Sequence, residues 1–387
     1  MAIKPLTGVR ILDFTRFLSG PYGTMLLGDL GAEVLKLEDT LAGDPLRVQG
    51  PPFYRGEGIT YHASNRNKKS LQFDLKNPDH LQQVLELCEA VDVVVENFRP
   101  GVMAQFGLGY YELLARNPRL IYASISGYGA DGPMAEHGGF DLTIQAYGGY
   151  MSITGEENGP PVKPGTSAFD LIAGMNLCTG VLAALLHRTQ TGQGQRIETS
   201  LMEGQVAFLA NAALEHLYGF GVPGRLGSGH PQLVPYKVFR TADGYLVIGA
   251  GVQNIWESLA RALGRADLLD QQEFVNLAAR VANRGLVNET VERETSKHTT
   301  EALTKILEAA SVPCSSVNTM DKVFAQEQVL HRQMVVQLAK GTREEIATVG
   351  ASVKYSGFNV TEGWTPPPAL GEGGQEVASR WLSERPK

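Results

Sequence analysis

The sequence predicts an α/β protein: a doubly wound parallel sheet joined to a smaller α+β domain. Three observations carry this. Strand-like and helix-like segments alternate from the start of the chain to Ser126. The chain has 387 residues, more than one ordinary core holds, and 44 of them are glycine, which suits frequent turns and close backbone approaches. The texture then changes at Gly221-Val222-Pro223-Gly224, beyond which a hairpin and amphipathic helices are expected.

The elements follow in order. Val9–Phe14 reads as a buried strand, and Gly20-Pro21 opens a helix through Leu30 with proline placed for a first turn. Glu33–Glu38 is the next strand and completes a βαβ unit. A second unit comprises a strand at Ser70–Leu75, a helix capped by Asn77 with Pro78 as its first residue, and a strand at Val91–Val95. Leu120–Ser126 is a further strand. An apolar helix rich in small residues runs from Leu171 to about His187, with a strand at Arg196–Leu201 and one long helix over about Glu203–Tyr218. Tyr236–Thr241 and Tyr245–Gly249 flank Ala242-Asp243-Gly244 as a hairpin, and helices follow near Asn254–Leu263 and Thr300–Ala310.

Composition excludes several classes. The formal net charge of −7 argues against a nucleic-acid-binding face. Cys88, Cys178 and Cys314 are widely spaced, which indicates neither a disulfide framework nor a zinc site. No apolar run is expected to reach the roughly 18 residues of a membrane span. The opening Met-Ala-Ile-Lys-Pro-Leu lacks a signal-peptide core, so a cytoplasmic location is expected.

The strand ends carry the candidate chemistry, because open α/β sheets bind ligands there. No glycine fingerprint for dinucleotides follows the first strand, and there is no P-loop, paired-histidine metal motif or nucleophile elbow. What remains are short polar clusters: Arg16, the run Asn65-Arg66-Asn67-Lys68-Lys69, Lys76, and Glu96-Asn97-Phe98-Arg99. They read either as grips for a phosphorylated ligand or as solvated surface charge. His137 and His230 lie in Gly/Pro-containing loops, and Cys314 reads as inert. Asp170, between Phe169 and the apolar helix, fits a helix cap and fits a carboxylate nucleophile.

Taken together, the strings resemble the class III CoA-transferases, the group containing formyl-CoA:oxalate and carnitine CoA-transferases. The matching stretches are LTGVRILDFTRFLSGPYGTMLLGDLGAEVLKLE, NRNKKSLQFDLKNP, ENFRPG, NPRLIYASISGYG, GTSAFDLIAGM, TGQGQRIETSLME and HPQLVPYKVF, with weaker echoes in VPCSSV and KYSGF. The resemblance implies a Rossmann-like large domain built from both chain ends (1–200 and 326–387), a linker at 201–224, a small domain at 225–325, and a homodimer of interlocked rings. It implies transfer of CoA from an acyl-CoA, succinyl-CoA or similar, to a small carboxylic or dicarboxylic acid. Asp170 matches the family's nucleophile, which forms a mixed anhydride and then an aspartyl-CoA thioester. Asp141 is a supporting candidate, and Gly227-Ser228-Gly229 resembles in position the loop that covers the intermediate. Arg16, Phe17, Phe73, Lys76, Asn97 and Arg99 are the implied CoA contacts. His137 and His230, with Arg16, are candidates for a second carboxylate.

The resemblance implies CoA as substrate and no permanently bound cofactor, with no nucleic-acid or membrane partner. Two departures concern the nucleotide end: Asp39 and Gln105 replace basic residues of relatives, so Arg47, Arg99 or Lys69 are expected to substitute. Two alternatives are weighed. An α-methylacyl-CoA racemase needs a histidine where Gly139-Phe140-Asp141 has phenylalanine, which cannot move a proton. A non-catalytic acyl-CoA-binding protein would not need Asp170.

Overall fold

The computed structural model describes residues 3–384. The chain forms two compact units: Met1–Tyr150 with Lys163–Gly221 and Glu327–Lys387, and Met151–Val162 with Val222–Gln326.

The larger unit opens with β1 (Arg10–Asp13), α1 (Ser19–Asp29), β2 (Glu33–Asp39), β3 (Lys68–Phe73), α2 (Pro78–Ala90), β4 (Val93–Glu96) and β5 (Ile121–Ser126). It continues with α3 (Asp141–Tyr147), α4 (Ala168–Thr191), β6 (Gln195–Ser200), α5 (Leu201–Phe208) and α6 (Ala210–Leu217). The six strands are all parallel in the order β3-β2-β1-β4-β5-β6. Chain order therefore reverses between β1 and β4. At such a switch point the loops leaving neighbouring strands part in opposite directions and leave a crevice at their carboxyl ends.

Local chemistry explains several of these boundaries. Asn77 accepts the amides of Asp79 and His80, and Pro78 begins α2 as expected. β3 starts two residues before the expected Ser70, because Lys68 and Lys69 pair with Val34 and Leu35 of β2. The single long helix expected over 203–218 is two helices, divided at Ala210, whose φ is +46°. Among the described residues, α4 is the one helix that by length and composition could cross a bilayer, contrary to the sequence expectation. Phe169, Ala173, Leu177, Val181 and Ala184 on one face of it are instead buried in the core. It approaches α1 through glycine: a Cβ on Gly23 would lie 2.7 Å from the Gly174 carbonyl oxygen, and one on Gly174 2.6 Å from the Ser19 oxygen. Neither position has room for a side chain.

The second unit holds β7 (Tyr236–Arg240), β8 (Tyr245–Gly249), α7 (Gln253–Ala262), α8 (Arg284–Thr295), α9 (Thr300–Ala309) and β9 (Cys314–Ser316). Its antiparallel sheet, in the order β9-β8-β7, packs Phe239, Leu246 and Ile248 with Trp256, Leu259 and Leu303. Arg280 is wholly buried there, with its guanidinium donating to the carbonyls of Val234, Gly251 and Phe274 and to Gln253 Oε1.

The last segment belongs to the larger unit. It contributes β10 (Val335–Leu338), β11 (Ile346–Val349) and α10 (Gly374–Ser383). Val377, Ala378 and Trp381 of α10 complete the core on one face of the sheet, with Leu71, Val84 and Leu87. Asn67 and Thr365 exchange two hydrogen bonds, and Arg66 grips Asp29 with two nitrogens while stacking 3.9 Å from the Trp364 ring.

Beneath the β1–α1 loop lies a fully buried charge network. Asp13 accepts from Thr15, Thr24 and, at 3.1 Å, Lys68 Nζ. Lys68 also donates to Pro21 O and Asn65. Lys36 donates to Thr15 O at 2.6 Å and pairs with Asp44 at 2.9 Å. Burial alone would raise the Asp13 carboxyl, but Lys68 and Lys36 outweigh it and hold it at about 2, against 3.8 in the unfolded chain. This carboxylate's contribution to stability is thus full above pH 3.8 and lost as pH falls toward 2.

Removing one partner of a buried pair strands the other. Lys68→Met should destabilise the larger unit by about 3–5 kcal/mol. Thermal melting and urea unfolding check this, and a loss below about 1 kcal/mol, the range of an exposed pair, would contradict the buried-network assignment.

Candidate active site

The site is built at the carboxyl ends of β1, β4 and β5. After β1 the chain turns through Phe17, a non-glycine residue with φ +63°. That conformation costs of order 1–3 kcal/mol and persists only when its surroundings impose it. They do so here, since Asp44 accepts the Phe17 amide and Lys36 holds the Thr15 carbonyl. The Phe17 ring is thereby left 44% exposed, edge-on to Phe140 at 6.4 Å.

Arg16 and Asn97 are locked together. The Arg16 amide donates to Asn97 Oδ1 at 2.8 Å, and Asn97 Nδ2 donates back to the Arg16 carbonyl at 2.6 Å. The Arg16 guanidinium lies 4.5 Å from the centre of the Phe98 ring. Phe73 reaches the same edge, its ring 6.0 Å from Phe14. Lys76 is exposed just beyond β3. Arg99 approaches the loop before α3, where a Cβ on Gly138 would fall 3.3 Å from its Nη2. Gly127 and Gly139 meet backbone to backbone, and His137 packs edge-on to Tyr128 at 6.4 Å.

Asp170 is the third residue of α4, whose N-cap is Ser167, so the cap reading fails by position. The cap bond comes from elsewhere. Asp141 Oδ1 accepts the amides of Phe169 at 2.9 Å and of Asp170 itself at 3.3 Å. Asp141 is buried, and its other oxygen accepts from Gln145 Nε2. Asp170 is half-buried, above an aromatic cluster in which Phe169 meets Tyr150 and Phe208. Burial, and then the negative charge of Asp141, push the Asp170 carboxyl up to about 7. The helix start alone would favour the ionised form; these two effects outweigh it.

The remaining candidates divide by unit. Gly227, Ser228, Gly229 and His230 belong to the second unit. Gly227 has φ +59° and donates to Gly155 O, Ser228 Oγ accepts the Val238 amide, and Gly229 donates to Leu226 O. His230 Nδ1 accepts the Gln232 amide, and its ring packs on Tyr236. Asp39 accepts the Leu41 and Ala42 amides, and Gln105 is exposed. Arg47 is not available to a nucleotide as expected, because it is buried against Glu38, Glu57 and Tyr61. Lys68 and Arg66 are likewise neither phosphate grips nor surface charges: both are buried in ion pairs. The sequence reading missed Gln145, which carries no motif of its own.

A carboxylate raised in basicity at a helix start, close to loops that carry an arginine and exposed aromatic rings, is the kind of constellation that functional sites hold. The chain belongs to CoA-transferase family III, whose model it matches over residues 6–373. It is 40% identical to human "Succinyl-CoA:glutarate CoA-transferase" over 96% of this chain and 84% of that protein. It is 36% identical to "Succinate--glutarate CoA-transferase" of Agrobacterium fabrum over 95% and 93% of the two chains. Among solved structures, a CaiB/BaiF family protein from Brucella suis superposes with a TM-score of 0.87 at 33% identity, covering 98% of this chain and 99% of that one.

A carboxyl near 7 has a pH signature. A carboxylate nucleophile must be ionised, so the reading of Asp170 as nucleophile predicts that kcat/KM for CoA exchange falls as pH drops through about 7. The folded state binds this proton more tightly than the unfolded chain, so the group's effect on stability declines as pH rises from 3.8 to about 7. A rate profile with no acid limb above pH 5, together with an Asp170→Asn variant whose stability depends on pH as the parent's does, would contradict the assignment.

Proposed function

We propose that this chain transfers CoA from succinyl-CoA to a dicarboxylic acid of the glutarate class, with Asp170 as the covalent carrier. The observation that carries the reading is Asp170 itself: half-buried, at the start of α4, and opposed by the Asp141 carboxylate. The names of two relatives, each covered over more than four-fifths of its length, suggest the donor and acceptor.

The steps balance. An Asp170 oxygen attacks the thioester carbonyl, a C–O bond forms, the C–S bond breaks, and CoA leaves as thiolate. The thiolate attacks the Asp170 carbonyl carbon of the mixed anhydride, expelling the donor carboxylate and leaving an aspartyl-CoA thioester. The acceptor carboxylate then attacks that thioester, and the steps run in reverse to release its CoA ester. Each tetrahedral oxyanion needs nearby donors, and water must be kept out for the thioester to survive. Arg16, Phe17, Phe73, Lys76, Asn97 and Arg99 are the proposed CoA contacts.

The working form is proposed to be a homodimer. Met175 and Leu186 of α4, Val206 and Phe208 of α5, and Leu214 and Leu217 of α6 are all exposed in the single chain. Apolar side chains concentrated on successive helices are what an interface would cover. Light scattering should return about twice the 41.8 kDa of one chain; a monomer at micromolar concentration would refute this part.

Incubation with succinyl-CoA and a panel of dicarboxylic acids, followed by mass spectrometry of the CoA esters, tests the activity. Glutarate or a close homologue should become the CoA ester, and Asp170→Asn should lower the rate by about 10³-fold or more. Full activity in that variant would overturn the covalent role.

A further inference from the structure

We propose that Gln145 is a positioning residue: its amide holds the Asp141 carboxylate against the first turn of α4, and does so without neutralising the charge that faces Asp170. This deepens the reading of Asp170 as nucleophile and rests on it. The geometry is a relay of three side chains. Gln145 stands four residues after Asp141 on α3, one turn further along the same face. It is wholly buried, and its Nε2 donates to Asp141 Oδ2. The other oxygen of Asp141 takes the amides of Phe169 and Asp170. Asp141 thus bridges α3 to the peptide unit that carries the nucleophile.

The choice of a neutral donor decides the electrostatics. A lysine or arginine here would also satisfy Asp141 Oδ2, but its charge would cancel the field at Asp170. An amide supplies the hydrogen bond and leaves the carboxylate's charge intact. The amide orientation is set by the same logic, since a carboxylate oxygen only accepts and Nε2 must face it. The Gln145 side-chain oxygen is then buried with no hydrogen-bond partner. An unmet buried acceptor is costly, and it is held there by what it makes possible on the other side of the amide. Gln205 of α5 secures the far end of α3, donating to the Gln145 carbonyl at 3.4 Å. It packs against Gly148, where a Cβ would fall 2.4 Å from the Gln205 amide nitrogen and displace it.

No other charge competes for this role among the described residues. Of the charged groups on other elements against α4, Asp29 of α1 pairs with Arg66, Glu203 of α5 accepts from Ser200, and Arg196 of β6 pairs with Glu198, while Tyr22 of α1, beside Gly174, is kept neutral by burial. Asp141 is the charge that acts on Asp170, alongside burial.

The test uses two variants that should move one quantity in opposite directions. Gln145 and the two α4 amides all donate to Asp141 and so favour negative charge there. Gln145→Met removes a donor, shifts part of that charge to Asp170, and should move its titration to lower pH by roughly one unit. Gln145→Glu adds a third carboxyl and should move it to higher pH. The readout is pH-difference infrared spectroscopy of the protonated carboxyl band, assigned by its loss in Asp170→Asn, beside the acid limb of kcat for CoA exchange. A merely structural Gln145 would lower kcat or melting temperature with the titration midpoint unmoved, and that result in both variants overturns the proposal. So does a shift of the two variants in the same direction. The infrared arm needs no substrate, so opposite shifts in a protein that exchanges no CoA would uphold the relay and sink the transferase reading alone.

Discussion

Two lysines without solvent access, Lys36 and Lys68, are the constraint on which the ligand edge of this fold depends. Each is a charge removed from water, and a buried ammonium is tolerated only when its protons are met by acceptors and its charge by carboxylates. Lys68 meets Asp13, Asn65 and the Pro21 carbonyl, while Lys36 meets Asp44 and the Thr15 carbonyl. Burial draws Lys68 down to about 8 in spite of Asp13, whereas Asp44, Asp13 and Glu38 raise Lys36 against the same burial. The carbonyls they hold lie in the loop after β1, at Thr15, and in the first turn of α1, at Pro21. That loop is therefore clamped from below at Thr15 and Pro21, and Arg16 and Phe17 between these points have little freedom. The left-handed turn at Phe17 is sustained by this clamp, and the exposed ring is its result.

The same loop begins α1, and α1 sets α4. Because Gly23 and Gly174 let the two helix backbones touch, the start of α4 is placed relative to the β1 end with little slack. A carboxylate held on a helix this closely packed is positioned by the scaffold and not by a mobile loop, and the proposed role of Asp170 needs such close alignment. The buried lysines, the glycine crossing and the Asp141 bridge are thus successive links from the sheet to one carboxylate.

Legibility in the sequence divided along physical lines. Local signals were readable: the alternation of strand and helix, the Asn77-Pro78 start of α2, and the hairpin around Ala242-Asp243-Gly244 each depend on neighbouring residues. Long-range charge pairing was not. Lys68 and Arg66 sit in a run that looks like a basic patch, and their partners Asp13 and Asp29 lie 55 and 37 residues away in the chain. Asp170 could be singled out by its motif, but its raised basicity comes from burial in the fold and then from Asp141, 29 residues upstream, and so had no local sign. The stretch Met151–Val162 joins the second unit through its own carbonyls, Gly155 O accepting from Gly227 N and those of Glu156 and Gly159 accepting from the Arg225 guanidinium, and carbonyl acceptors leave no pattern of side-chain types to read in that stretch.

The placement of one carboxylate beside another suits the proposed exchange in a way that a lone nucleophile would not. Greater basicity makes Asp170 a stronger nucleophile but a poorer leaving group from the mixed anhydride. The first effect and the second oppose each other over a full cycle, because the second half-reaction retraces the first. Basicity alone therefore gives no net advantage. The repulsion that contributes to that basicity acts on the intermediates instead, because in both the anhydride and the aspartyl-CoA thioester the Asp170 carboxyl carries no charge for Asp141 to repel. Both covalent intermediates are stabilised relative to the free enzyme by the same relief, whichever acid is donor. A thioester bond passed between two acids of similar strength has almost no driving force of its own. Its rate depends on keeping every intermediate near the level of the ends, and a fixed negative charge beside the carrier raises the one state that would otherwise lie too low.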